Sequence, residues 1–290
     1  MKDFVLNSGL RIPAVGFGTY NPQKQDMTEL ITRALRLGYR FLDTASLYET
    51  ERNVGEAIRK TGVARKDIII ESKLWYDEMG YQGAKEAIDR SLARIGTDYL
   101  DLMLIHWPRA TGRSDEDWKT LDLETWRAME EAVKVGKVRE IGCSNFLPHH
   151  LENLLLHADV KPAVDQLELH IGYTQEAAVE YCKQHGIQVI SWGSLGRGRM
   201  DKYVGTEYVK ELAEKYGKSE KQIFLRFLVQ GNIIAIAKAT SEEHMRSNIE
   251  IFDFSLTEEE MWFLQCMPET AWMGEHPDFA IPAKHSNPDQ

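Results

Sequence analysis

Cysteine is scarce in this chain of 290 residues, and its placement excludes two architectures. Cys143, Cys182 and Cys266 are odd in number and far apart, and no Cys-x-x-Cys pair occurs. A disulfide framework or a zinc site is not expected, and reduced thiols point to a cytoplasmic protein. Long apolar runs are also missing: none approaches the ~18 residues of a membrane span. The opening Met1-Lys2-Asp3-Phe4-Val5-Leu6-Asn7 has no signal-peptide core. Basic blocks are absent. The chain sets 35 Lys and Arg against 45 Asp and Glu, a net charge of −10. A polyanion binder needs clustered cations, so neither nucleic acid nor membrane is an expected partner. No Pro/Gly/Ser-rich linker interrupts the interior, which predicts one domain over residues 1–290. With 43% hydrophobic residues, that domain can bury a large core.

What is present is a regular alternation. Met27, Leu30, Ile31 and Ala34 mark the buried stripe of a helix. Asp26 and Glu29 have capping-box spacing before it, and Gly38 stops it. Ala84, Ala87, Ile88, Ser91, Leu92 and Ile95 repeat the pattern up to Gly96; Trp126, Met129 and Val133 repeat it up to Gly136. Further helices fit 148–156, 174–185, 206–216, 219–230 and 242–250, and Thr257 with Glu260 caps one more. Short apolar runs lie between them at 15–17, 41–43, 68–72, 100–105, 138–142, 163–167, 188–192 and 233–237. Strands alternating with helices argue for a parallel sheet. Eight such units fit a closed (β/α)8 barrel. Residues 4–12 read as a hairpin turning on Asn7-Ser8-Gly9, placed before the barrel. The tail from Pro268 is rich in Pro and polar residues, and lies over the barrel mouth or is disordered; Trp272 and Met273 are its candidate pocket residues. An open doubly wound sheet is the competing architecture. It would want Gly-x-Gly-x-x-Gly after the first strand, and Gly16-Phe17-Gly18-Thr19-Tyr20-Asn21 lacks the third glycine.

In such barrels the site forms at the C-terminal ends of the strands. Those ends carry Thr19 and Tyr20, Asp43 with Tyr48, Lys73, His106, Ser144 and Asn145, Gln166, Trp192, and Lys238. Taken singly, each has a structural reading: a packed tyrosine, a salt bridge, a core histidine, a turn. The joint arrangement outweighs those readings. A free phenol is a weak acid with a pKa of about 10. A neighbouring ammonium from Lys73 lowers it, and Asp43 keeps that ammonium charged. His106 can donate to a carbonyl oxygen beside Tyr48. Together these groups protonate an alkoxide forming from C=O, given a hydride donor. Ser144, Asn145 and Gln166 suit a nicotinamide carboxamide, Trp192 offers a stacking face, and Lys238 can meet a phosphate.

At this point the sequence resembles the aldo-keto reductase family, in its compact prokaryotic-type branch that includes 2,5-diketo-gluconate and prostaglandin reductases. The likeness runs from about Ile12 to Leu264. It rests on Gly16-Phe17-Gly18-Thr19, Gly38-Tyr39-Arg40-Phe41-Leu42-Asp43-Thr44-Ala45, Tyr48-Glu49-Thr50-Glu51 leading to Val54-Gly55, Ser72-Lys73-Leu74-Trp75, and Leu104-Ile105-His106-Trp107-Pro108. Gly136-Lys137-Val138-Arg139 leading to Ile141-Gly142, and Ser144-Asn145-Phe146, complete it.

The resemblance implies NAD(P)H-dependent reduction of aldehydes or ketones, with Asp43, Tyr48, Lys73 and His106 catalytic. It assigns cofactor contacts to Thr19, Tyr20, Asp43, Ser144, Asn145, Gln166, Trp192, Gly193, Ser194, Leu195, Lys238, Ala239, Thr240, His244 and Asn248. It places Tyr20, Leu47, Tyr48, Trp75, His106 and Trp107 around a small carbonyl substrate, and no metal. Histidine at 106 favours carbonyl over carbon–carbon double-bond reduction. Several positions depart from the family pattern. Trp192 replaces the usual stacking Tyr, Gly193-Ser194-Leu195 replaces Ser-Pro-Leu, Ala237 and Ala239 flank Lys238, Ser247 replaces a Glu, and His244 stands where an Arg grips the 2′-phosphate. NADPH is the expected cofactor, with NADH also admitted, since neutral His cannot form an Arg fork. A monomer or weak dimer is expected. Two other readings are a nicotinamide-nucleotide sensor with little turnover and a metal-dependent hydrolase. The first conflicts with the intact set of four residues; the second lacks converging ligands.

Overall fold

The computed structural model describes residues 2–22, 25–109, 115–196, 206–269 and 276–279. Trp272 and Met273, and the segment Thr111-Gly112-Arg113-Ser114, lie outside the described residues. The chain opens with an antiparallel hairpin of β1 (Asp3–Val5) and β2 (Arg11–Pro13). Gly9, at φ 91°, makes the turn, where its missing Cβ removes the usual steric penalty.

Eight strands then close a parallel barrel: β3 (Val15–Gly18), β4 (Phe41–Asp43), β5 (Ile69–Leu74), β6 (Leu100–Ile105), β7 (Val138–Ser144), β8 (Val164–Glu168), β9 (Gln188–Trp192) and β10 (Ile234–Ala237). β10 pairs with both β3 and β9, which closes the ring and removes the open-sheet alternative. The continuous apolar runs now have a reason. Every residue of β6 is buried, because a barrel strand is covered on both faces.

Two compact units emerge from the packing. One comprises residues 1–17 and 166–274. It holds the hairpin, β9, β10 and the helices α6 (Glu176–Gln184), α7 (Thr206–Tyr216), α8 (Glu220–Gln230), α9 (Glu242–Ile249) and α10 (Glu258–Gln265). In α10 the Thr257 hydroxyl accepts from the Glu260 amide, as its spacing predicted. The second unit comprises residues 18–165 and 275–290. It holds β4 to β7 with α1 (Thr28–Arg36), α2 (Glu51–Thr61), α3 (Tyr81–Ile95), α4 (Asp115–Lys134) and α5 (Pro148–His157).

Two local expectations are corrected. The Asp26/Glu29 capping box does not form. The helix starts at Thr28, one residue later than that box requires, so Asp26 accepts from the Thr28 amide at 2.8 Å while Glu29 pairs with Lys60. Helix α2 has no counterpart in the apolar pattern of the sequence. Its buried face is Glu51, Val54, Gly55 and Ala57, too small and too polar to give an apolar stripe. That face is small because α2 lies against the end of α3: a Cβ on Gly55 would overlap the carbonyl oxygen of Ile95.

Candidate active site

The site in the second unit is built on the ends of β4, β5 and β6. Residues two apart on a strand share a face, so Glu71 and Lys73 on β5 lie on the same side, and Asp43 is the register partner of Glu71 on β4. Lys73 and Glu71 have no exposed side-chain surface, and Asp43 has almost none. The Lys73 ammonium forms an ion pair with Asp43, a second with Glu71 at 3.1 Å, and a hydrogen bond to the Thr44 carbonyl at 3.0 Å.

Tyr48 is carried by the short 3-10 turn Ser46–Tyr48. Hydrogen bonds pin that turn to β5: the Ser46 hydroxyl reaches the Lys73 carbonyl at 3.1 Å and the Glu78 carboxylate at 2.5 Å. Glu78 also accepts from the Trp75 amide at 3.0 Å. The hydroxyls of Thr19, Thr50 and Thr44 form a buried chain, at 2.8 and 2.9 Å. Lys73 Nζ lies 5.2 Å from the centre of the Tyr48 ring, and the Tyr48 hydroxyl lies 3.4 Å from His106 Nε2. The structure therefore brings Asp43, Tyr48, Lys73 and His106 together.

The electrostatics differ from the expected ones at the phenol. Burial pushes the Tyr48 hydroxyl up; the Lys73 cation pulls it down by less, and Asp43 and Glu71 raise it further. The expectation of a phenol more acidic than free tyrosine is thus overturned, since desolvation of phenolate outweighs one cation. Lys73 remains an ammonium. Burial works against its charge, but Asp43, Tyr48 and Glu71 together hold its pKa above the ordinary lysine range. Burial, and then Lys73, hold His106 well below the ordinary imidazole value. Its Nδ1 is buried with no hydrogen-bond partner among the described residues. A proton on Nδ1 would be stranded, so the neutral ring carries its hydrogen on Nε2, facing Tyr48.

The expected substrate residues divide. The Trp75 ring packs 4.9 Å from His106, and Tyr20, 41% exposed, packs 5.1 Å from Tyr48. Leu47 is half-buried and Trp107 is buried. Ser144 ends β7 and Asn145 follows it; both are buried, with Asn145 at φ 62° and its amide donating to the His106 carbonyl at 2.9 Å.

The remaining cofactor candidates belong to the first unit. Gln166 is buried in the middle of β8, two residues short of the strand end expected for it, and Trp192 is half-buried at the β9 end. Gly193 (φ 66°) starts a tight turn, closed by the Gly196 amide on its carbonyl, with Leu195 half-buried within it. The Ser194 hydroxyl is turned back onto Ser191. Any contact of Ser194 with a ligand therefore falls to its backbone. Lys238 and Thr240 are exposed beyond β10, and Ala239 is buried. They lead into α9, capped by Ser241 and bearing exposed His244. Asn248 is buried, and its amide nitrogen has no hydrogen-bond partner among the described residues. An orphaned buried donor on α9, the helix that follows Lys238 and is capped by Ser241, fits a nucleotide.

The sequence reading passed over two features. Glu71 was legible from its two-residue spacing to Lys73. The other is a cluster of His149, His150 and Asp278, whose ligating atoms lie within 4.8 Å of one another. His150 Nδ1 accepts the Leu147 amide at 3.0 Å. The neutral ring therefore carries its proton on Nε2, 3.0 Å from the Asp278 carboxylate. Burial lowers the His150 pKa, and the nitrogen facing the cluster has no free lone pair for a metal.

Known proteins resemble this chain over nearly its full length. Residues 14–265 match the model of the Aldo/keto reductase family. The Bacillus subtilis glyoxal reductase is 39% identical over 280 residues, covering 96% of this chain and 97% of that protein. The Trypanosoma cruzi 9,11-endoperoxide prostaglandin H2 reductase is 37% identical over 278 residues, covering 96% and 95%. The solved structure of a Bombyx mori aldo-keto reductase in complex with NADP superposes with a TM-score of 0.84 at 33% identity, covering 92% of this chain and 93% of that one. With eight barrel strands closed and the match running across them, the chain belongs to the aldo/keto reductase family of oxidoreductases.

Proposed function

We propose that this protein reduces small aldehydes and ketones with NADPH, and that Tyr48 is the proton donor. The observation that carries the reading is the Tyr48 hydroxyl, 3.4 Å from His106 Nε2 and backed by the buried Lys73 ammonium. Reduced nicotinamide, when bound, supplies the hydride. The protein's own groups do the rest. The Nε2–H of His106 orients the carbonyl oxygen by a hydrogen bond. Tyr48 passes its proton to that oxygen as it becomes an alkoxide. A phenol held up by burial stays protonated at neutral pH, and an alkoxide is a stronger base than any phenolate, so the transfer runs downhill. Lys73 then stabilises the phenolate left behind, and Asp43 keeps Lys73 in place.

Ser144, Asn145, Gln166 and Trp192 are the proposed nicotinamide contacts. Thr19, Tyr20, Asp43 and the 193–195 turn are further cofactor contacts, and Lys238, Ala239, Thr240, His244 and Asn248 hold the phosphate and adenine end. The NADP complex of the Bombyx mori relative supports this choice of cofactor. Tyr20, Leu47, Trp75 and Trp107 form the proposed wall for substrate. The name of the Bacillus subtilis relative favours small dicarbonyls such as glyoxal within that class. We read the whole chain as one cytoplasmic barrel domain, a monomer or weak dimer. Among the described residues, no helix is long and apolar enough to cross a membrane.

The test is to mix protein, NADPH or NADH, and a panel of aromatic aldehydes and dicarbonyls, and to follow loss of reduced-cofactor absorbance with and without EDTA. Turnover indifferent to the chelator is expected. Cofactor binding without consumption of any carbonyl in the panel would replace this reading with the sensor.

A further inference from the structure

A buried carboxyl that the chemistry above does not use lies inside the catalytic group. Glu71 Oε1 is 3.1 Å from Lys73 Nζ, and neither side chain has exposed surface. The Asp43 carboxylate, its register partner on β4, pairs with the same ammonium, so two buried carboxyl groups crowd one cation. Two buried carboxylates beside a single ammonium repel each other, which favours a proton on one of them. The charged and titratable groups facing Glu71 come from three elements: Asp43 on β4, Lys73 on β5 and, beyond Lys73, Tyr48 on its 3-10 turn. Its register neighbour on β6 is apolar Leu102, whose own neighbour on β7 is Glu140.

We propose that Glu71 is a positioning residue for the proton donor: it carries a proton beside Asp43, and releasing that proton withdraws part of the support Lys73 gives the Tyr48 phenol. This rests on the reading of Tyr48 as the acid. While Glu71 is neutral, Lys73 answers to one carboxylate and its charge reaches the phenol. Once Glu71 ionises, two carboxylates crowd one ammonium, and phenolate formation during proton transfer costs more.

The titration falls in a usable range. Burial pushes the Glu71 carboxyl up to about 8; Lys73 opposes this, and Asp43 adds to it. Tyr48 and Lys73 are both raised from their ordinary values, and His106 is held well below its own. Beside Tyr48, Lys73 and His106, Glu71 is the group that changes charge between about pH 7 and 9. It therefore places an alkaline limit on reduction that the phenol would not impose.

The test is kcat/KM for one aldehyde from about pH 6 to 10, for the wild type and Glu71→Gln. Wild-type kcat/KM should fall between pH 7 and 9, by up to about tenfold for one group titrating at about 8. The glutamine variant keeps the size and hydrogen bonding of the side chain without the proton, and its profile should stay level across that range. A variant with the same alkaline fall, or a wild type with none, overturns the proposal. Infrared difference spectra of the wild type read the same group should the variant fail to fold. A buried protonated carboxyl band should be present at neutral pH and fade as pH rises through about 8; no such band overturns the proposal. Failure of the underlying reading looks different: Tyr48→Phe would then reduce aldehydes at the wild-type rate, whatever Glu71 does.

Discussion

Replacing Asp43 with Asn removes the closest counter-charge of a fully buried ammonium. Breaking such a pair usually costs about 3–5 kcal/mol, because the remaining ion is left uncompensated. Here a substitute stands 3.1 Å away in Glu71. At an effective dielectric of about 20, the attraction of an ionised Glu71 for Lys73 is about 5 kcal/mol. Glu71 is held at about 8 with the Lys73 attraction already acting on it, and Asp43 is one of the groups that raise it. Losing the Asp43 charge removes a group that raises Glu71 and leaves the Lys73 attraction in place. Glu71 should ionise, and the single variant should lose only about 1–2 kcal/mol. In Asp43→Asn/Glu71→Gln no carboxylate remains beside Lys73, and the full loss of about 3–5 kcal/mol should appear. Glu71→Gln alone should be close to neutral. The non-additivity is then about 2 kcal/mol, well outside the scatter of independent sites. Denaturant unfolding of all four proteins at neutral pH measures it. Equal losses in the single and double variants would refute the reasoning.

Two further outcomes follow from the geometry. His244→Arg supplies a fork where the imidazole ring offers none, and a hydrogen bond to a charged group is worth about 1.5–3 kcal/mol. Tryptophan fluorescence titration should show NADPH binding about tenfold tighter or more, with NADH little changed; equal gains for both would contradict the 2′-phosphate assignment. Gly55→Ala puts a methyl group onto the Ile95 carbonyl, which belongs to backbone and cannot swing aside. Overpacking of this kind costs about 1–3 kcal/mol or more, and a denaturant midpoint equal to the wild type would show that α2 and α3 do not approach as described.

The legible and illegible parts of this chain differ for physical reasons. β4, β6 and β9 begin and end where their apolar runs do, because a barrel strand needs hydrophobic residues on both faces. The four catalytic candidates were legible because each ends or follows such a run. Helix α2 was not, since its packing face is built on Gly55 and Ala57. Asp26 misled because a capping pattern tolerates a one-residue shift that spacing alone does not detect. The acidity of Tyr48 was inverted because sequence supplies the neighbouring cation but not the degree of burial. The contact of His149 and His150 with Asp278 joins distant stretches of chain, and no local pattern announces it.

The account turns on one hydrogen atom, the one on the Tyr48 oxygen. Tyr48→Phe removes it and keeps the ring. NADPH affinity, followed by fluorescence, should stay near the wild-type value, while kcat for aldehyde reduction should drop by about 10²-fold or more. Aldehyde reduction by that variant at the wild-type rate would contradict the account directly.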